Sequence, residues 1–68
     1  MDAIYQSRLE GLTDEIDYYM WMHHDKGTLS VAQQKHLREL CETVCVFGEQ
    51  GKQWHDMGMQ ILTELKAA

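Results

Sequence analysis

From Leu37 to Leu65, apolar residues and glycines recur at alternating steps of three and four: Leu37, Leu40, Val44, Phe47, Gly51, Trp54, Gly58, Ile61 and Leu65. This alternation is the seam of a coiled-coil-like helix, and its persistence without a slip excludes a β-strand and argues against an irregular loop. A shorter stripe precedes it, with Tyr5, Leu9, Leu12, Ile16, Tyr19 and His23 stepping by four and three. The chain has no Pro, so nothing in either stretch removes a backbone donor from a helix. An all-α fold is the expectation.

The boundaries follow from capping chemistry. Asp2 is a candidate N-cap for the first helix, and Gly27, directly after Asp25 and Lys26, readily takes the left-handed conformation that ends one. Ser30 with Gln33 three residues later makes a capping box for the second. One domain over residues 1–68 results, with a helix over about 3–25, a turn over 26–30 and a helix over about 31–66. Gly11 costs about 1 kcal/mol inside a helix; if the first helix broke there, Thr13 would cap the shorter remainder.

The second helix can run straight, or break at residues 48–51 and give a three-helix bundle. The unbroken register favours the straight form, a helical hairpin with a long second helix, because a loop usually disturbs periodicity. At 1.5 Å per residue the two helices would then span about 35 and about 53 Å, leaving residues beyond about 52 without a neighbour. A second copy packed as a four-helix arrangement would cover that overhang. Dimerisation would also relieve the small-core problem of a 68-residue chain. In such a dimer, Gly51 and Gly58 would let an aromatic such as Trp54 or Tyr19 of a neighbour pack on bare backbone.

Charge narrows the function classes. Residues 1–25 hold Asp2, Glu10, Asp14, Glu15, Asp17 and Asp25 against Arg8 alone, whereas residues 26–68 are balanced, so the net charge of −5 resides in the first third. Direct nucleic-acid binding, which needs Lys and Arg on phosphates, does not fit. No run approaches the ~18 apolar residues of a membrane span, and Met1–Tyr5 has neither the basic start nor the apolar run of a signal peptide. A cytoplasmic location, or a host cytoplasm for a virus-encoded chain, is the expectation.

The chemistry-bearing residues are sparse. Cys41 and Cys45 read as reduced, small apolar residues flanking the seam. With His55 they offer at most half of a structural zinc set, and only a three-helix arrangement brings His55 near. His23-His24-Asp25 resembles a ligand cluster, but adjacent helical side chains diverge by about 100° and share an ion poorly. His23 reads instead as a packed, hydrogen-bonded histidine at a helix end. No cofactor or metal is expected. Ser7 has no base at helical spacing, no phosphate-binding loop is present, and pairs such as Asp14 and Asp17 lack the enclosed pocket that acid–base work needs. The chain does not read as an enzyme.

The outer face of the first helix carries the functional expectation. Glu10, Asp14, Asp17, Trp21 and Asp25 share a stripe opposite the Tyr5–His23 stripe, with Tyr18 and Met22 on its flank. Aromatic anchors among carboxylates suit a basic partner. An uncharged stripe of Val46, Gln50, Gln53, Met57 and Gln60 is a second surface. The sequence therefore points to a dimeric, non-enzymatic protein-binding module. In its sharpest form it is a small acidic inhibitor, of phage or mobile-element type, that occludes a basic or nucleic-acid-binding surface of a larger protein. A helical self-assembly module and a small metal-binding domain are the alternatives.

Overall fold

The computed structural model describes residues 3–67, and every element in it is helical: α1 Ala3–Lys26, α2 Val31–Val44, a 3-10 turn Cys45–Phe47, and α3 Gly48–Ala67. Asp2, the candidate cap, lies outside the described residues. The all-α class and the first hairpin follow the sequence closely. α1 passes through Gly11 unbroken, and Thr13 bonds back to the Glu10 carbonyl at 3.1 Å instead of capping a new helix. Gly27 closes α1 at φ 75°, its N–H donating to the His23 carbonyl at 2.8 Å. Ser30 Oγ accepts from Gln33 N at 3.1 Å, and Gln33 Oε1 accepts from Ser30 N at 2.8 Å, so both halves of the capping box are made.

The hairpin's second arm is helical from Val31 to Ala67, as expected, but it is folded and not straight. A straight helix over residues 31–66 would need about 53 Å, and the longest dimension of the whole molecule is 42 Å. The arm turns back at Cys45–Phe47 and at Gly48, whose φ of 76° and ψ of −149° belong to a region that is essentially glycine-only. α3 then packs along α2 and α1. The overhang beyond residue 52 therefore does not exist, and the packing argument for a second copy loses its premise.

The two seam glycines have a different role from the one expected. A methyl group on Gly51 would land on the Val44 carbonyl oxygen, and one on Gly58 would land on Cys41 Sγ and sit 3.5 Å from Leu37 Cδ1. Both positions are close approaches between α3 and α2 of the same chain, not seats for an aromatic of a neighbour. The nine seam positions are all buried or half-buried, so the seam is the chain's own core.

That core joins Leu9, Ile16, Tyr19 and Met22 of α1, Leu29 of the first turn, Leu37, Leu40, Cys41 and Val44 of α2, and Ile61 and Leu62 of α3. Ile16, Leu37 and Val44 are fully buried, each contributing about 1.5–3 kcal/mol relative to exposure. Tyr5 ties the start of α1 to the second turn: its hydroxyl donates to the Phe47 carbonyl at 3.0 Å, and the two rings pack at 4.9 Å between centroids.

Candidate functional site

α1 turns its Leu9–Ile16–Tyr19 side to the core, and this fixes what the opposite side presents. Glu10, Asp14, Asp17 and Asp25 are exposed, as are Trp21 at 59% and Tyr18 at 56% of their surface. Tyr18 is braced by the ring of Tyr19 at 5.6 Å. The structure thus gathers six of the seven residues assigned to this face. Met22 is the correction. It is buried in the core, and its sulfur takes a weak 3.8 Å contact from Gln33 Nε2. It lies on the flank against which α2 packs.

A polar chain that the sequence did not reveal fastens this helix to α2. The Tyr19 hydroxyl and His36 Nδ1 are 2.9 Å apart, and His36 Nε2 lies 3.4 Å from Glu15 Oε2. Burial, with Glu15 and then Tyr18 adding to it, pushes the Tyr19 hydroxyl above its ordinary value. About half of the surface of the His36 and Glu15 side chains is in solvent, so this is a water-screened tie and not an enclosed acid–base site. His36 and Tyr19 sit 17 residues apart, and nothing in the periodicity pairs them.

The cysteines part company. Cys41 is buried and Cys45 is exposed, which corrects the expectation that both flank the core. Burial, with a smaller contribution from Cys45, pushes the Cys41 thiol up to about 11, leaving it protonated and a poor nucleophile at neutral pH. Folding of the second arm does bring His55 close, but its Nδ1 lies 3.2 Å from the Cys41 carbonyl, not at a thiolate. Among the described residues, no three of His, Cys, Asp and Glu come together around one ion. His23 is the hydrogen-bonded helix-end histidine expected, with Nε2 at 3.2 Å from Glu64 Oε1, while His24 and Asp25 are exposed.

The uncharged stripe is divided by the second turn. Val46 sits in that turn and is 76% exposed, whereas Gln50, Gln53, Met57 and Gln60 belong to α3 beyond the reversal. Val46 instead adjoins Ile4, Arg8, Leu12 and Phe47 around a shallow apolar hollow between α1 and the turn. No helix among the described residues is long and apolar enough to cross a membrane. No model of a known protein family matches the chain, and neither a curated protein nor a solved structure does.

Proposed function

We propose that this chain is a non-enzymatic protein-binding module. The outer face of α1, built on Trp21 and Tyr18 among Glu10, Asp14, Asp17 and Asp25, would take a basic surface of a larger protein. The observation that carries the reading is the 59% exposure of Trp21 beside the exposed Tyr18, on a helix that buries Leu9, Ile16, Tyr19 and Met22 in the core. An exposed indole between carboxylates wastes apolar area unless a partner covers it. Covered, it supplies the anchor of an interface while the acids steer the encounter. A basic nucleic-acid-binding surface fits this chemistry best, because a compact acidic helix occupies it by steric and electrostatic occlusion. This is the manner of small inhibitors of phage or mobile-element type acting in a host cytoplasm. Self-assembly is the second reading, favoured by the exposed Val46 and Ile4 beside the hollow at the second turn.

The test is capture from bacterial lysate with mass spectrometry, run for the wild type and for a folded Trp21→Ala, Asp14→Lys, Asp17→Lys variant. It is followed by association kinetics of the recovered partner. The reading expects a partner held by the wild type and lost by the variant. Its association should slow at least tenfold between low and high salt. A partner retained equally by both proteins moves the site off this face. Recovery of the chain alone, with a concentration-dependent mass in solution, establishes self-assembly instead.

A further inference from the structure

The apolar stride from Leu37 to Leu65 continues through the second turn at steps of three and four, although the helix does not. A straight helix would carry all of these residues on one face. The chain instead turns at Cys45–Phe47 and sets Gly48 at φ 76° and ψ −149°, a conformation that glycine alone adopts readily. No side chain caps the start of the turn, and Gly51 is pressed against the Val44 carbonyl. Straightening residues 45–48 into the helix removes that approach, because Val44 and Gly51 would then lie two helical turns apart.

The contacts that hold α3 in place are of a kind a second copy can supply. Cys41 and His55 lie seven residues before and seven after Gly48, and Leu37 and Gly58 lie eleven before and ten after. Both pairs meet across the α2–α3 interface: His55 Nδ1 is 3.2 Å from the Cys41 carbonyl, and a methyl group on Gly58 would sit 3.5 Å from Leu37 Cδ1. When two straight helices cross antiparallel on a two-fold axis near Gly48, residues equally far before and after the axis face each other between copies. The pairs closed within one chain are then the pairs closed between two. Glu64, which lies 3.2 Å from His23, and Gly58, which approaches Ile16, travel with α3 and would meet the α1 of the other copy.

We propose that two copies of this chain exchange α3. Residues 31–67 run as one helix in each copy, and each α3 docks on the α1–α2 hairpin of the other, giving an antiparallel two-fold dimer. A short, strained hinge between two segments that pack on each other invites such an exchange. Tyr5 opposes it: its hydroxyl donates to the Phe47 carbonyl at 3.0 Å, a bond that a continuous helix replaces with its own. The outer face of α1 takes no part, so the exchange is independent of the partner-binding reading.

The experiment measures mass by light scattering on samples equilibrated from micromolar to millimolar concentration, and traces contacts by isotope-filtered NMR on a mixture of labelled and unlabelled chains. A reversible wild-type dimer is expected, with Leu37 and Gly58 in contact across chains. Its length by small-angle scattering should reach at least the ~55 Å of a straight helix over residues 31–67, beyond the 42 Å of the folded chain. Gly48→Ala should tighten the dimer about tenfold, since alanine is strained in the turn and favoured in the helix. Tyr5→Phe, which keeps the ring against Phe47, should tighten it about fivefold. Insertion of Gly-Ser-Gly after Phe47 relaxes the turn and should return the monomer. The Trp21→Ala, Asp14→Lys, Asp17→Lys variant should dimerise as the wild type does, so that loss of partner capture and loss of exchange are read separately. A wild type that stays monomeric at millimolar concentration overturns the proposal. So does a dimer whose Leu37–Gly58 contacts remain within one chain, that persists undiminished with the insertion, or that is lost in the triple variant.

Discussion

Between Lys26 and Val31 the chain reverses through residues that carry their own instructions, whereas between Val44 and Gly48 it reverses while remaining helical on both sides. The first turn has a left-handed Gly27 and a complete Ser30–Gln33 capping box, local chemistry that acts before any tertiary contact forms. The second has neither a side-chain cap nor a coil residue. It rests on Gly48 at φ 76° and on two places where α3 comes too close to α2 for any side chain. A locally specified turn is stable by itself; a turn specified by packing is only as stable as the contact that demands it.

The largest expected effect lies in the second turn. A methyl group at Gly51 meets the Val44 carbonyl, and a backbone carbonyl cannot move aside as a flexible side chain can. Gly51→Ala should cost about 3 kcal/mol of the folded-arm structure, the upper end of overpacking penalties. The same substitution favours a straight helix by about 1 kcal/mol. The straight arm would then expose half of the seam, so the variant should dimerise and lengthen beyond the 42 Å of the wild type. Urea denaturation, light scattering and small-angle scattering read these three consequences. A monomer with unchanged stability would show that the Val44–Gly51 approach does not hold the turn.

Why the first turn was legible and the second was not follows from the same contrast. Periodicity reports which side of a helix is buried, not whether the helix is straight. Phe47 keeps its seam place inside the 3-10 turn, and Gly51 resumes the stride on the far side, both facing the one core, so the register passes through a reversal unmarked. Gly51 and Gly58 were visible as anomalies in the seam, but whether they admit a neighbour's ring or the chain's own carbonyl and thiol is a tertiary fact. The acidic face was legible because helical angle alone separates Asp14, Asp17 and Trp21 from Ile16 and Tyr19. Met22 was misplaced because angle cannot say on which flank of α1 the next helix packs. His36, the partner of Tyr19, depends on that docking and left no mark in the spacing.

A middling effect is expected at the first turn. Ser30→Ala removes the acceptor for Gln33 N and loosens the reciprocal bond, which should cost about 1 kcal/mol. Because Gly27 and the buried Leu29 remain, the three-helix packing and the association state should be unchanged, with loss of amide protection confined to the first turn of α2. If Ser30→Ala instead altered the association state, as Gly51→Ala should, the distinction between a locally specified and a packing-specified turn would not survive.

The smallest effect, of opposite sign, belongs to a glycine that neither turn uses. Gly11 lies inside α1 in ordinary helical conformation, and a methyl group built on it meets nothing within 4 Å, in contrast to Gly51. Alanine there removes the backbone entropy that glycine loses on folding and should stabilise the protein by about 0.5–1 kcal/mol. Urea denaturation of Gly11→Ala and Gly51→Ala side by side compares one chemical change at two helical glycines, expected to raise stability at the first and lower it at the second. Destabilisation at both would mean that a side chain at Gly11 is also costly to α1, beside the apolar hollow that Gly11 lines with Leu12 and Phe47. Stabilisation at both would remove the packing basis assigned to the second turn and return the straight helix as the better account of residues 31–67.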